Sequence, residues 1–236
     1  MIKNIVKIGY LLRKAYLTDF IKVHYSQFGE DIVLKELLRE GIKNGFYVDV
    51  GCYHPKKYSN TYMLYKWGWE GINIDMEEDK ISLFNIVRPR DHNVLCAVSD
   101  RKEKVTLYKN NKFGLGSTID KQVKDQRKTD FLDTIDLRSN TLNEIIENSP
   151  FRGRQIDVLS IDVEGMDFKA INSLDIEMYK PKIVIIEDHH KSIDDVLNTN
   201  TYTLLKQKGY ILRSWAFYSL IFILPNSDIL KEREIV

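Results

Sequence analysis

Two short apolar runs, each ending in a carboxylate and set one strand–helix–strand repeat apart, constrain this chain most. Phe46-Tyr-Val-Asp-Val-Gly-Cys52 stops in an acid and a glycine, and Ile72-Asn-Ile-Asp75 stops in an acid. Short apolar runs bounded by turn residues read as buried parallel strands. In a doubly wound sheet this spacing puts Gly51 and Asp75 side by side at the carboxyl ends of neighbouring strands. Such sheets bind nucleotides there, with the acid on the ribose hydroxyls. Taken alone, Asp49-Val-Gly51 is also what an ordinary strand end with a turn glycine looks like. Joined to Asp75, it predicts a site for an adenosine-bearing cofactor.

The residues after Gly51 choose the cofactor. A dinucleotide loop needs G-x-G-x-x-G, because its second glycine lets the pyrophosphate approach the backbone. Here the text is Gly51-Cys-Tyr-His-Pro-Lys-Lys57, with Tyr53 where that glycine belongs. S-adenosyl-L-methionine (SAM) carries no phosphate and needs a single close approach, at Gly51. The motif therefore favours SAM over NAD.

Composition excludes several classes. The 236 residues suit one α/β domain with an additional segment. Lys plus Arg total 35 against 34 for Asp plus Glu, a balance unlike that of a dedicated nucleic-acid binder. The two cysteines, Cys52 and Cys96, form no C-x-x-C pair, which suits a reducing cytosol and excludes a cysteine-rich zinc site. The longest apolar run, Leu220-Ile-Phe-Ile-Leu224, is far too short to span a membrane. No signal-peptide pattern opens the chain, so the expected location is cytoplasmic.

Strands are expected at Phe46–Val50, Gly71–Asp75, Asn93–Val98, Ile156–Ile161 and Lys182–Ile186. Tyr210–Ser214 and Ser219–Leu224 follow as an antiparallel pair. Helices are expected over Asn60–Lys66, Glu77–Ile86, Asp167–Asn172 and within Val196–Gly209. Lys104–Lys109 pairs with Thr134–Leu137 as a hairpin, and Thr141-Leu-Asn-Glu144 is a capping box. Residues 110–130, with Gly114 and Gly116, read as a mobile loop holding one helical turn. Residues 1–40 form a helical extension and 41–236 the main domain. In the extension, Ile2, Ile5, Val6, Ile8, Leu11, Leu12 and Ala15 make an apolar stripe beside Lys3, Lys7, Arg13 and Lys14. This stripe is expected to pack on protein, either its own domain or a second subunit in a homodimer. Peripheral contact with the inner face of the cell membrane is the alternative.

With the elements placed, the chain resembles the FkbM-type SAM-dependent methyltransferases. The matching text is Ser26-Gln-Phe-Gly-Glu-Asp31, Val48-Asp-Val-Gly51, Tyr58-Ser-Asn-Thr-Tyr62, Trp67-Gly-Trp-Glu-Gly-Ile-Asn-Ile-Asp75, Ala97-Val-Ser-Asp100 and Leu159-Ser-Ile-Asp-Val-Glu-Gly165. The resemblance implies a three-layer, Rossmann-like class I methyltransferase fold with a mostly parallel seven-stranded sheet. It also implies methylation of hydroxyls, often on sugars of surface polysaccharides or on natural products. By the same resemblance, Asp49 and Gly51 frame the methionine end of SAM and Asp75 holds the ribose diol. Met76, Ala97 and Val98 line the adenine, and the amides of Asn60 and Thr61 meet the SAM carboxylate. Gln27 and Glu30 close over the cofactor. Cys52-Tyr-His-Pro55 is bulkier than the glycine-rich loop of many methyltransferases.

Methyl transfer to a hydroxyl needs alignment and a destination for one proton. Asp162 and Glu164 follow one strand end; Glu187, Asp188, His189 and His190 follow the next. Asp162, Glu164 and His189 are the candidate catalytic residues, with Asp162 also reaching the cofactor amine. Glu164 also reads as a helix cap, and His190 as a solvated loop residue. Asp162, Glu187 and Asp188 would suit a hard cation such as magnesium through their oxygens. Tyr53 and Tyr58 are expected to line the acceptor pocket, and Trp67 and Trp69 to pack a helix on the sheet. The leading expectation is O-methylation of a carbohydrate, a nucleotide-linked sugar or surface glycan. A lipid or polyketide-like acceptor, or a non-catalytic SAM-binding scaffold, are the competing readings.

Overall fold

The computed structural model describes residues 2–16, 23–39, 41–110, 115–127 and 133–231. Helix α1 (Ile2–Tyr16) and helix α2 (Glu30–Leu37) precede the sheet. Then come β1 (Phe46–Val50), α3 (Tyr62–Lys66), β2 (Glu70–Asp75), α4 (Glu78–Val87), β3 (His92–Leu95), β4 (Ala97–Val98) and β5 (Lys104–Lys109). Helix α5 (Lys121–Gln126), β6 (Asp133–Asn140), α6 (Leu142–Glu147), β7 (Val158–Ile161), α7 (Asp167–Asn172) and α8 (Ile176–Tyr179) follow. The chain closes with β8 (Ile183–Glu187), α9 (Ile193–Leu197), α10 (Asn200–Gln207), β9 (Ile211–Ala216) and β10 (Ser219–Ile223).

Seven strands form one sheet in the order β3-β2-β1-β7-β8-β10-β9. The first five are parallel, and β10 and β9 close the far edge as an antiparallel hairpin. The order reverses between β1 and β7, so the crevice beyond their carboxyl ends is the topological switch point where α/β sheets bind ligands. All five residues of β1 are buried, as a central parallel strand covered on both faces requires. Phe46, Val48 and Val50 enter one core with Ile72, Leu142, Ile171 and Leu205. Tyr47 enters the other, with Leu34, Leu64 and Trp69. This alternation makes the three-layer, Rossmann-like α/β architecture, and it draws α2 into the core through Leu34 and Leu37.

Two local expectations, one strand and one cap, are revised. The strand anticipated over Asn93–Val98 breaks at Cys96, whose amide donates to the Asp75 carbonyl; Ala97 and Val98 leave the large sheet and pair with Ser139 and Asn140. The helix anticipated within Val196–Gly209 is α10, capped by Thr199, and a separate short helix capped by Ser192, α9, precedes it. The capping box at Thr141 is half made: Thr141 accepts the Glu144 amide, but the Glu144 carboxylate turns to Lys102.

Among the described residues, the apolar stripe of α1 is not buried against this domain. Every described side chain from Ile5 to Tyr16 is exposed. The side chains of Ile2 and Lys3, with residues 17–22 and Glu40, lie outside the described residues, as do Gly114 and residues 128–130 of the segment read as a loop. Among the described residues, no helix is long and apolar enough to cross a membrane.

Candidate active site

Gly51 and Asp75 meet as the strand registers dictate. Val50 pairs with Ile74 on one side and Ile161 on the other, so the residues after these three strands converge on one crevice. Gly51 adopts φ +75°, and a Cβ there would lie 1.7 Å from the Asp162 carbonyl oxygen. The glycine is required by the backbone of β7 as well as by any ligand. The crevice encloses about 600 Å³ of empty space, open solvent at its mouth included. Gly51, Tyr53, Asp75, Met76, Ala97, Val98, Asp162 and Glu164 line it.

Asp75 is buried, and its carboxylate accepts the Tyr53 amide on Oδ2 at 3.1 Å and the Glu77 amide on Oδ1 at 2.9 Å. One lone pair on each oxygen stays available for a diol. Burial raises the Asp75 pKa, and the ammonium of Lys80, 3.8 Å away, opposes that rise. Lys80 is itself buried, 2.7 Å from Glu77 and over the Tyr53 ring.

The amides of the turn are all committed. Those of Gly51 and Cys52 donate to the Ile74 carbonyl, that of Tyr53 to Asp75 and that of His54 to the Cys52 carbonyl. Pro55 has no amide proton, and Lys56 and Lys57 both donate to His54 Nδ1. A pyrophosphate would find no backbone donor here, unlike in a nucleotide-binding nest.

The bulky turn is held from beneath by Arg88, the residue that ends α4. Its side chain is fully buried. It donates to the Pro55 carbonyl at 2.6 and 2.8 Å, to Ser59 Oγ at 2.7 Å and to Thr61 Oγ1 at 2.8 Å. Thr61 in turn donates to Asp49 at 2.5 Å, and Asn60 donates to Ser160 Oγ. The Thr61 amide is taken by Ser59 Oγ. Asp49, Asn60 and Thr61 thus fix the strand end and the following turn, beside the crevice rather than on its wall. The sequence marks Arg88 only as an arginine beside Pro89 at a helix end.

Gln27 and Glu30 do not reach the crevice. Gln27 is exposed. Glu30 is buried, with one oxygen accepting the Phe28 amide and the other the Ser219 hydroxyl, each at 2.8 Å.

Residues 115–127 roof the site instead. Leu115, Gly116, Ser117 and Ile119 face the crevice. Thr118 bridges to Tyr108, and its hydroxyl donates to the Glu164 carbonyl. Asp120 caps α5, and Arg127 joins the Gly116 carbonyl to the Glu164 carboxylate. Glu164 therefore anchors the roof through its side chain. Gly165 passes so close beneath α5 that a Cβ would sit 2.5 Å from Val123.

At the end of β7, Asp162 stands beside Glu187 at the end of β8, because Ile161 pairs with Ile186 in the parallel register. Burial raises both pKa values well above the carboxylate range; the charges of Asp167 and Glu164 add to the rise at Asp162, and those of Asp162, Asp167 and Glu164 to the rise at Glu187. The exposed His189 places Nε2 3.1 Å from Glu187 Oε1 and its ring against Tyr218. Asp188, next along the strand, turns the other way to His190. Asp162, Glu187 and Asp188 therefore do not converge as a cation cage. Among the described residues, no three His, Cys, Asp or Glu side chains are arranged to hold a metal.

Of the aromatic residues, Trp69 is buried with Nε1 donating to the Ile42 carbonyl, whereas Trp67 is exposed. Tyr53 and Tyr58 stack at 6.3 Å beside the crevice mouth.

An α/β sheet with this strand order and an acid-and-glycine crevice at its switch point defines a Rossmann-like class of protein. The model of the methyltransferase FkbM domain matches residues 49–212, and the chain belongs to that family. The crystal structure of a TehB-like SAM-dependent methyltransferase from Corynebacterium glutamicum aligns over 94% of this chain and 97% of its own, at 12% identity and a TM-score of 0.41. No curated protein matches the sequence.

Proposed function

We propose that this protein is a SAM-dependent O-methyltransferase whose acceptor is a carbohydrate hydroxyl. The fit to SAM rests on the crevice: an acid with two free lone pairs for a ribose, apolar walls from Ile74, Met76, Ala97 and Val98, and no amide donor for a phosphate. SAM supplies an electrophilic methyl group on a positively charged sulfur. The chain's own residues hold the ribose through Asp75, exclude water through the roof and take up a proton at Asp162–Glu187.

The observation that carries the O-methyl reading is that carboxylate pair, whose Asp162 member lines the crevice. A sugar hydroxyl is a weak nucleophile and loses its proton only as the new C–O bond forms. The sulfonium charge favours the ionised form of the pair, and burial gives that form a proton affinity well above an ordinary carboxylate's. As the acceptor oxygen attacks the methyl carbon, the C–S electrons pass to sulfur and the hydroxyl proton to a carboxylate oxygen. His189, in contact with Glu187, then relays it to solvent. No step is assigned to magnesium, because Asp188 faces away from the pair.

The test is transfer of labelled methyl from SAM to a panel of nucleotide-linked hexoses, with and without EDTA. Asp162→Asn should lower turnover by about a hundredfold or more while leaving SAM affinity largely intact. Wild-type turnover in that variant, or activity lost to EDTA and restored by magnesium, would refute the carboxylate-base mechanism.

A further inference from the structure

The groups just outside the crevice are aromatic. Phe217 and Tyr218 form the two-residue turn between β9 and β10, whose first pair, Ser219 with Glu187, sets that turn directly beside the carboxylate pair. Phe28, from the loop before α2, packs on both rings, with centroids 4.7 Å from Phe217 and 5.5 Å from Tyr218. The Tyr218 ring continues to His189 at 4.2 Å. Phe217 is 62% exposed and Phe28 37% exposed, so the cluster presents ring surface to solvent.

This surface is built rather than incidental. Phe217 holds φ +58°, in the left-handed region where a bulky residue is strained. A tight hairpin turn with a positive φ at its first position ordinarily takes glycine there. The strain is held by specific bonds: Trp215 Nε1 donates to the Phe217 carbonyl at 2.6 Å, and the Asp188 amide donates to the Tyr218 carbonyl at 2.7 Å. Buried Glu30 ties Phe28 to the hairpin, accepting the Phe28 amide and the Ser219 hydroxyl. A local rule broken and then reinforced is what functional surfaces show.

We infer that Phe28, Phe217 and Tyr218 form the acceptor subsite, on which a pyranose ring stacks so that one hydroxyl points at Glu187 and His189. This rests on the carbohydrate reading above and deepens it. A pyranose carries polarised C–H bonds on its face and hydroxyls around its edge. The C–H face suits the negative face of an aromatic ring, and the edge suits the carboxylate and imidazole alongside. The platform is open and bordered by polar groups, unlike the deep apolar groove a lipid tail would need. Glu30 is on this view a positioning residue for Phe28.

The decisive variants are Phe217→Gly and Phe28→Ala, tested in the full-length protein. Glycine relieves the left-handed turn, so Phe217→Gly should melt at the wild-type temperature or above it. It should nevertheless raise the KM for the methylated hexose by about tenfold or more, with kcat and SAM affinity changed much less. Phe217→Trp should restore KM. Saturation-transfer NMR on protein loaded with S-adenosylhomocysteine should show the strongest transfer to protons on one sugar face, lost in Phe217→Gly. A hexose methylated by wild type with KM unchanged in both variants overturns the subsite and leaves the carbohydrate reading standing. A wild type that neither binds nor methylates any hexose of the panel overturns both. Loss of SAM affinity or a changed oligomeric state in Phe217→Gly assigns the aromatics to structure or to a protein contact, and overturns the subsite.

Discussion

A methyl group on the Cα of Gly51 would sit 1.7 Å from the carbonyl oxygen of Asp162. The end of β1 and the end of β7 thus touch at the one residue without a side chain. Gly51→Ala should therefore be costly twice over, through its positive φ and through the clash with backbone that cannot swing away. A loss of at least ~2 kcal/mol is expected, read as a lower urea midpoint with SAM affinity falling in parallel. An alanine variant of wild-type stability would show that the two strand ends separate freely.

The Asp162–Glu187 pair makes apo-protein stability depend on pH in an unusual direction. Both pKa values are raised on folding, that of Asp162 to about 8, so the folded state binds protons that the unfolded state has released. Stability from this pair is full below the ordinary carboxylate range and is lost progressively as pH rises through about 8 for Asp162 and about 10 for Glu187. The apo melting temperature should fall from pH 5 to pH 8, and the fall should shrink in Asp162→Asn; an equal slope in the variant would contradict the assignment.

The same pair should distinguish two ligands. A positive charge on the cofactor sulfur favours the ionised pair and drives protons off it, whereas the neutral sulfur of S-adenosylhomocysteine does not. SAM affinity should rise across pH 6 to 8 more steeply than that of S-adenosylhomocysteine. Calorimetry in buffers of different ionisation enthalpy should register proton release for SAM. Identical pH profiles for the two ligands would remove the pair from the cofactor's reach.

Arg127 closes the roof by joining the Gly116 carbonyl to the Glu164 carboxylate. Both partners are partly exposed, so the bond contributes modestly to global stability. Arg127→Ala should leave the melting temperature within a few degrees while speeding cofactor release by about tenfold. Stopped-flow displacement measures this directly, and an unchanged off-rate would mean that the roof does not retain the ligand.

Arg88→Leu should do the opposite and damage the fold. The guanidinium is fully buried, and its loss leaves the Pro55 carbonyl and the hydroxyls of Ser59 and Thr61 without their donor. A destabilisation of about 3–5 kcal/mol is expected, with the Cys52–Thr61 turn the first region to lose amide-exchange protection. Protection retained across that turn would show that Arg88 is not its anchor.

The sequence by itself determined the strands and where they end. Apolar runs closed by Asp49-Val-Gly51 and Asp75 admit little other than central parallel strands, because burying a five-residue run on both faces requires a layered sheet. From that order the adjacency of Gly51, Asp75 and Asp162 followed, since parallel register carries each strand's last residue to the same rim. What lies beyond the strand ends depended on side-chain direction and on segments far apart in sequence. Glu187 and Asp188 are neighbours in the chain, yet strand alternation sends one to Asp162 and the other to His190, which separates the carboxylates that sequence had grouped. Glu30 looked like a cofactor contact and instead ties Phe28 to Ser219, because that hydrogen bond bridges 189 positions of sequence. Arg88, Arg127 and the aromatic turn at Phe217 gave no periodic signal at all. Periodicity reports which face is buried, whereas the partner of a single buried charge or strained turn is fixed only when the whole chain has packed.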